Sequence, residues 1–123
     1  MRIYMMIKID AFIREEKFED VKAALNAIGV NGITVSQVMG CGVQKGQPEY
    51  YRGALVETSL LPKIQVDIVV AKVPVSLVIA TAKKVLYTGH IGDGKIFVYD
   101  VENVVKVRTG EEGYDALQDI EQF

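Results

Sequence analysis

Three glycines, Gly89, Gly92 and Gly94, and a lysine stand close together in the segment TGHIGDGKIFV, residues 88–98. Gly92 and Gly94 allow backbone N–H groups to approach an anion closely, and Lys95 adds a charge that can reach phosphate oxygens. Asp93 also suits an ordinary Asp-Gly turn that leads into a strand. The segment matches neither the P-loop nor the dinucleotide-binding fingerprint. Its composition therefore leaves a phosphate-binding turn and a plain structural turn both open.

A second glycine-rich segment, GCGVQKG at residues 40–46, begins a long connection over residues 42–59. Roughly 18 residues between two strands is far above the usual few, and long connections in compact domains tend to carry function. Gln44 offers a neutral oxygen ligand, which Mg²⁺ accepts when phosphates supply the charge. The alternative is an extended hairpin whose tyrosines, Tyr50 and Tyr51, pack on its own stem.

Residues that could perform catalysis are scarce. His90 is the only histidine and Cys41 the only cysteine, so no Ser-His-Asp or Cys-His pairing and no protein-only zinc site is indicated. The 14 basic and 16 acidic residues give a net charge of −2, which argues against general binding to nucleic acid. We therefore expect neither an enzyme nor a nucleic-acid partner.

The apolar pattern predicts the order βαββαβ. Period-two patterns predict strands over residues 1–13, 33–39, 61–70, 95–101 and 104–108, and period-3.6 patterns predict two helices between them. The first helix begins near Glu16 and ends at Gly29, and the second begins with Pro74 as its first residue and ends at Gly89. This order is typical of the ferredoxin-like α+β fold, an antiparallel sheet with both helices on one face.

The second face of that sheet has no helices to cover it. Ile68, Val70, Phe97 and Tyr99 are expected to make it apolar, and an exposed apolar face of this size favours a homo-oligomer.

Nothing in the sequence marks an internal domain boundary, so residues 1–123 are interpreted as one domain. The acidic tail over residues 111–123 is either a short docking helix through Leu117 and Ile120 or a solvating end. The longest apolar run, residues 73–82, is too short to span a bilayer, and the chain opens on no secretory leader. The expected location is therefore the cytoplasm, without direct membrane insertion.

Five segments together resemble the PII nitrogen-regulatory signal proteins in order and in spacing. They are MGCGVQKG, YYRGA, LLPKI, TGHIGDGKIFV and VKVRTGEEG, within a match that runs from about residue 8 to residue 115. The resemblance implies a ferredoxin-like homotrimer with ATP or ADP in the clefts between subunits. It also implies 2-oxoglutarate bound through Mg-ATP, and a long loop that docks on partner proteins.

The resemblance also implies roles for individual positions. The phosphates would meet Gly42, Gln44, Gly92, Asp93, Gly94 and Lys95, while Thr34, Asp67 and Val69 would line the adenine side and Lys106 and Arg108 would come from a neighbouring subunit. The residues implied for 2-oxoglutarate are Gln44, Lys45, Gly46 and Lys63, with Gln44 also binding Mg²⁺. The partner-binding loop would present Tyr50, Tyr51, Arg52 and Gly53.

Several positions depart from the family pattern. Val56 stands where the family carries its uridylylated tyrosine, which argues against control by uridylylation. Val43 and Lys106 replace arginines, so the planar guanidinium group is lost at both positions. Weaker discrimination between ATP and ADP is therefore expected. Arg52 matches an arginine that enters the pore of ammonium transporters in some members. This favours such a transporter as partner, ahead of glutamine synthetase or another nitrogen-related regulator, and with it an association with the membrane.

Two other functions compete with a signalling role. The same phosphate-binding residues would suit a slow nucleotide phosphatase, although the sequence offers no base or nucleophile for it. The chain would also suit a purely structural oligomer of the ferredoxin-like type.

Overall fold

The computed structural model describes residues 5–42, 50–51, 54–55 and 59–117. Its strands are β1 (Met6–Ile13), β2 (Ile33–Gly42), β3 (Tyr50–Tyr51), β4 (Ala54–Leu55), β5 (Ser59–Val70) and β6 (Lys95–Val101), and its helices are α1 (Phe18–Ala27), α2 (Val75–Leu86) and α3 (Tyr114–Leu117). Four strands form an antiparallel sheet in the order β2-β5-β1-β6, while β3 pairs with β4. The predicted ferredoxin-like α+β fold is confirmed. Within the described ranges no helix is long and apolar enough to cross a membrane.

The core lies between the sheet and the helices α1 and α2. Alternate residues of β1 and β5 point into it, because side chains along a strand alternate between the two faces. The buried apolar side chains of this layer include Ile9, Ala11, Ile13, Ile64, Val66 and Ile68 from the sheet, and Val21, Leu25, Val78 and Ala82 from the helices. This packing fixes the register between the strands and therefore the positions of the side chains on the open face of the sheet.

The first helix ends as the sequence predicts. Gly29 has φ 96°, its N–H donates to the Asn26 carbonyl at 3.1 Å, and the N–H of Val30 donates to Leu25 at 3.0 Å. These two bonds are the Schellman pattern, which needs a residue that tolerates positive φ.

The second helix differs from the prediction at both ends. Pro74 is extended, with ψ 135°, and precedes the helix instead of opening it. Its carbonyl accepts the N–H groups of Leu77 and Val78, so Val75 is the first helical residue. The helix ends at Leu86, three residues before Gly89, because the chain turns away there into a separate glycine-containing turn.

The predicted strand over residues 104–108 is wrong. The segment folds back on its own continuation, with a single bridge between Val105 and Glu112 and a hydrogen bond of 2.8 Å from Lys106 N to Glu111 O. The Asn103 side chain accepts the N–H groups of Val104 and Gly113 and closes this loop. The alternation of valine and lysine imitates a strand, but these local bonds occupy the backbone groups that a sheet would need.

The long connection is shorter than predicted, because its two strands extend further. The ladder between β2 and β5 continues to the pair Gly42 and Ser59, and β3 pairs with β4 through Tyr50 with Leu55 and Tyr51 with Ala54. The packing of Tyr50 and Tyr51 on the stem, which the extended-hairpin alternative requires, stays a prediction. At the other end of the chain, α3 buries Ala116, whereas Ile120 lies outside the described residues.

The second face of the sheet is mixed and not continuously apolar. Ile68 and Val70, predicted on this face, are buried on the helix side, since they pair with Ile9 and Ile7. Phe97 and Tyr99 do lie on the open face, and both are exposed. Polar side chains lie beside them in register, among them Lys8, Asp10, Gln65 and Asp67. This mixed face therefore favours an oligomer less strongly than the continuous apolar face that the sequence predicts.

Asp10 is the buried charged residue of this open face, with 5% of its surface exposed. It lies directly opposite Asp67 in the β1–β5 ladder, and the Nζ atom of Lys8 is 3.5 Å from its Oδ1 atom. Burial, and then the neighbouring Asp67 carboxyl, raises the pKa of Asp10 above its usual value, which Lys8 only partly offsets. Ionised Asp10 therefore destabilises the fold as pH rises through the acid range.

We expect Asp10→Asn to raise the free energy of unfolding at pH 7 by about 1 kcal/mol, because it removes a like-charge pair across two strands. Since the folded-state pKa is raised, the gain should shrink as pH falls and vanish only below the unfolded pKa of about 3.9, where Asp10 is protonated in both states. Urea unfolding at pH 7 and pH 4.5, at one fixed protein concentration, measures both values. A gain that grows on acidification would contradict this assignment.

Candidate functional site

The turn between α2 and β6, residues 88–94, is organised around the carboxylate of Asp93; we call it the glycine turn. Asp93 accepts the backbone N–H groups of Thr88 at 2.8 Å and Gly89 at 2.9 Å, and it also accepts the Thr88 hydroxyl. The Thr88 hydroxyl, the Thr88 N–H and other donors hold the pKa of Asp93 well below its usual range. The carboxylate is therefore ionised and engaged within the turn, so its role at the site is to shape the backbone.

The glycine turn is attached to the end of β1. The Nη1 atom of Arg14 donates to Asp93 Oδ1 at 2.7 Å, and its Nη2 atom donates to the Ile91 carbonyl at 2.9 Å. Gly94 has φ 112°, and a Cβ atom at this position would lie 2.1 Å from the carbonyl oxygen of Phe12. Only glycine permits this approach of two backbone segments.

Lys63 links the glycine turn to β5. Its Nζ atom donates to the Gly92 carbonyl at 3.1 Å, across 29 residues of sequence. Its stem passes Gly40 on the neighbouring strand so closely that a Cβ atom there would lie 3.3 Å from Lys63 Cγ. The fold thus brings together Lys63 and Gly92, which the sequence analysis assigned to two different ligands.

A cleft of about 400 Å³ lies where the glycine turn meets β2 and β5. Lys63, Lys95 and Gly94 line it together with Gly40 and Cys41 and the apolar side chains of Phe12, Val38, Met39 and Phe97. Phe12 and Phe97 pack edge to face, with ring centroids 5.8 Å apart. Two ammonium groups beside an aromatic wall suit an anion that carries an apolar or aromatic part.

The other predicted nucleotide residues lie towards the opposite end of the sheet. Thr34 pairs with Asp67, six positions along β2 from the pair of Gly40 with Leu61, a separation of about 20 Å at about 3.3 Å per residue. Val69 lies further on, opposite Lys8. One chain therefore presents the two halves of the predicted site at opposite ends of its sheet.

The loop with Lys106 and Arg108 belongs with the distant half, because it follows the far end of β6 while Lys95 begins that strand. The Nζ atom of Lys106 lies 3.8 Å from Glu111 Oε1. At the tip of the same loop, Val107 is 96% exposed. The structure therefore does not bring Lys106 or Arg108 to Lys95 within one chain.

Part of the prediction concerns residues that are not described. Gln44, Lys45 and Gly46, and likewise Arg52 and Gly53, lie outside the described ranges. Tyr50 and Tyr51 are described only as the backbone of β3, and Gly42 as the last residue of β2. Among the described residues no group of three or more His, Cys, Asp or Glu side chains is arranged to hold a metal ion. The predicted Mg²⁺ ligand Gln44 remains a prediction.

Sequence reasoning missed Arg14 and Phe12. Arg14 directly follows the predicted first strand, and its contacts are 77 and 79 residues away along the chain. The sequence offers only one signal for Arg14, a basic residue at the end of a strand. That signal becomes useful only when the sheet order is known, because the order shows that this strand lies next to the one preceded by the glycine turn. Phe12 shows the same difficulty, since its alternation indicates a strand face but not a cleft wall.

Comparison with known proteins places the chain among regulatory proteins. The family model described as nitrogen regulatory protein P-II matches residues 6–111. The nitrogen regulatory PII-like protein of Bacillus subtilis is 49% identical over 112 residues, which cover 91% of this chain and 97% of that protein.

Two solved structures are similar in fold. The structure of the B. subtilis GlnK-ATP complex superposes with a TM-score of 0.78 at 45% identity, covering 92% of this chain and 96% of that one. The structure of Arabidopsis thaliana PII bound to citrate superposes with a TM-score of 0.73 at 38% identity, covering 91% and 92% of the two chains.

Proposed function

Because the chain belongs to the nitrogen regulatory protein P-II family, we propose that it reports nitrogen, carbon and energy status by binding ATP or ADP and 2-oxoglutarate. Its relatives are named as regulatory proteins, so the chain is a signalling protein and not an enzyme. The phosphatase alternative is set aside on this ground. The signal passes to other proteins through the segment between β2 and β5.

The observation that carries the proposal is the meeting of Lys63, Lys95 and the glycine turn at one cleft. Two ammonium groups attract the phosphate chain, and Gly94 of the glycine turn lines the same cleft. The similar B. subtilis GlnK was solved as a complex with ATP, which supports an adenine nucleotide as the anion. ADP would use the same contacts except those to the third phosphate.

We infer a homotrimer from the placement of the two half-sites. Lys63 and Lys95 lie at one end of the sheet, and Thr34, Asp67 and Val69 lie towards the other. When copies associate side by side, the half-site with Thr34, Asp67 and Val69 of one copy can complete the half-site with Lys63 and Lys95 of the next copy. Lys106 and Arg108 would then reach the phosphates from a neighbouring subunit.

The proposed second effector is 2-oxoglutarate, a dicarboxylate. Lys63 provides an ammonium group at the cleft, and Gln44, Lys45 and Gly46 begin two residues after the end of β2 along the chain. Mg²⁺, bound by Gln44 and phosphate oxygens, would supply the positive charge that the carboxylate and keto oxygens of 2-oxoglutarate require. Arabidopsis PII was solved with citrate, which supports a carboxylate effector in this family.

The output is the conformation of the segment that carries Tyr50, Tyr51, Arg52 and Gly53. Effectors shift it only as far as they bind one conformation better than another, and a docked partner must change effector affinity by the same factor. We propose an ammonium transporter as the partner, on the strength of Arg52. The protein would then act in the cytoplasm and at the membrane surface without entering the bilayer.

Calorimetry of the full chain tests this function. We expect 2-oxoglutarate to release measurable heat of binding in the presence of Mg-ATP and none when ATP is omitted, because the nucleotide and Mg²⁺ complete its site. Lys63→Ala should abolish the 2-oxoglutarate signal, whereas Lys83→Ala, which removes an exposed charge from α2, should leave it unchanged. Equal binding of 2-oxoglutarate with and without ATP would refute the mechanism.

A further inference from the structure

We propose that Arg14 is a positioning residue for nucleotide binding, because its guanidinium fixes the glycine turn against β1 by contacts to two of its residues. This inference rests on the proposed function, since it assigns a role within the same nucleotide site. The residue touches the turn and not the cleft, so it acts through the backbone that would meet the phosphates.

The contacts are specific to a guanidinium. Arg14 places Nη1 on the Asp93 carboxylate at 2.7 Å and Nη2 on the Ile91 carbonyl at 2.9 Å, while Nε lies 3.9 Å from Glu16 Oε1. The side chain is 23% exposed, so these bonds are partly shielded from water. A planar fork can serve two acceptors at fixed angles, whereas a lysine ammonium is a single point on a flexible stem.

The turn leaves little room for any other arrangement. A Cβ atom on Gly92 would lie 3.1 Å from Nη2 of Arg14, so the guanidinium packs directly on the Gly92 backbone. Position 92 therefore requires glycine for two reasons: its φ is 103°, and a side chain there would displace the Arg14 guanidinium. The arginine and the glycine therefore form one unit.

The carbonyl contacts orient the donors of the turn. In a planar trans peptide the C=O and the following N–H point in opposite directions. With the Ile91 carbonyl held by Arg14, the N–H of Gly92 must point away from the guanidinium. With the Gly92 carbonyl held by Lys63, the N–H of Asp93 must likewise point away from that lysine. Arg14 and Lys63 thus set the directions of two successive N–H groups before an anion arrives.

Arg14 also balances charge. Asp93 is ionised and belongs to the turn that would receive a polyanion, and the guanidinium 2.7 Å away offsets its negative charge. Without this offset the carboxylate would repel phosphates, and the repulsion would increase with the number of phosphate charges. A purely structural role for Arg14 would weaken every adenine nucleotide by the same factor.

The test is calorimetric titration of AMP, ADP and ATP into the full chain and its variants. Arg14→Ala and Arg14→Gln are expected to weaken ATP binding about 10- to 100-fold, which is the usual loss for one charge-assisted bond, and to weaken AMP binding less. Arg14→Lys, which keeps the charge but loses the fork, should recover part of the loss and show little dependence on phosphate number. Lys22→Ala is the matched control, because it removes a charge that pairs with Glu19 on the exposed side of α1.

The outcomes separate this inference from the function on which it rests. A wild-type chain that binds none of the three nucleotides overturns the proposed function itself. A wild-type chain that binds ATP, with Arg14→Ala or Arg14→Gln binding equally well, overturns the role of Arg14 alone. Equal loss for AMP, ADP and ATP also overturns it, as does Arg14→Lys binding no better than Arg14→Gln. If Arg14→Ala does not fold, Arg14→Gln and Arg14→Lys decide the question.

Discussion

Replacing Gly94 with alanine is expected to lower the free energy of unfolding by about 3 kcal/mol and to abolish nucleotide binding. The added Cβ would lie 2.1 Å from the Phe12 carbonyl oxygen, which is backbone and cannot rotate away. The φ of 112° adds strain that any L side chain would feel. Since Gly94 joins the glycine turn to β1, the turn must move away from the cleft to relieve the contact.

Gly110→Ala is the matched control for this experiment. Gly110 also has positive φ, 78°, but a Cβ there would have no atom within 4 Å among the described residues. Its replacement should therefore cost only the left-handed backbone penalty of about 1 kcal/mol, so it is a control for the stability effect alone. Chemical denaturation and ATP titration of both variants measure the difference. Equal destabilisation by the two substitutions would show that the close approach to Phe12 is absent.

The second large effect is expected at Lys95. Lys95→Ala should weaken ATP and ADP binding together by about 10- to 100-fold, because the lost ammonium group would contact phosphates that both nucleotides share. Fold stability should change little, since Lys95 is exposed at the start of β6. Fluorescent-nucleotide displacement gives both affinities from one set of titrations.

Lys84→Ala provides the comparison for Lys95→Ala, because Lys84 is an exposed lysine in the last turn of α2. It removes the same charge from the chain without approaching the cleft, so long-range electrostatics alone would affect both variants alike. Unchanged affinity for both nucleotides in Lys95→Ala would move the phosphate site away from this end of the sheet. Loss of ATP binding with ADP binding retained would place Lys95 on the third phosphate only.

The sequence was most informative where local chemistry decides the structure. The alternation in β1 and β5, the helical spacing of Val21 and Leu25, and the stop at Gly29 all follow from short-range rules, and the structure agrees with them. The five matched segments also indicate the family from the sequence alone. These features depend on neighbours within a few residues, which the sequence displays directly.

The features that the sequence could not predict depend on distant partners. The hydrogen bonds of Asn103 turn residues 104–108 into a loop, although their alternation is that of a strand. Ile68 and Val70 were assigned to the wrong face, because the face follows from the register with β1 and not from apolarity. Arg14 was overlooked for the same reason, since its partners lie 77 and 79 residues further along the chain.

The distance between Lys95 at one end of the sheet and Thr34 towards the other has a genetic consequence. In the proposed homotrimer, a substitution at one end of a chain would damage only one of the two pockets that this chain borders, because the other pocket uses its opposite end. We therefore expect two inactive alleles, one altered at Lys95 and one at Arg108, to complement each other when they are co-expressed. Every trimer that mixes the two variants would then contain one interface at which an intact Lys95 end meets an intact Arg108 end.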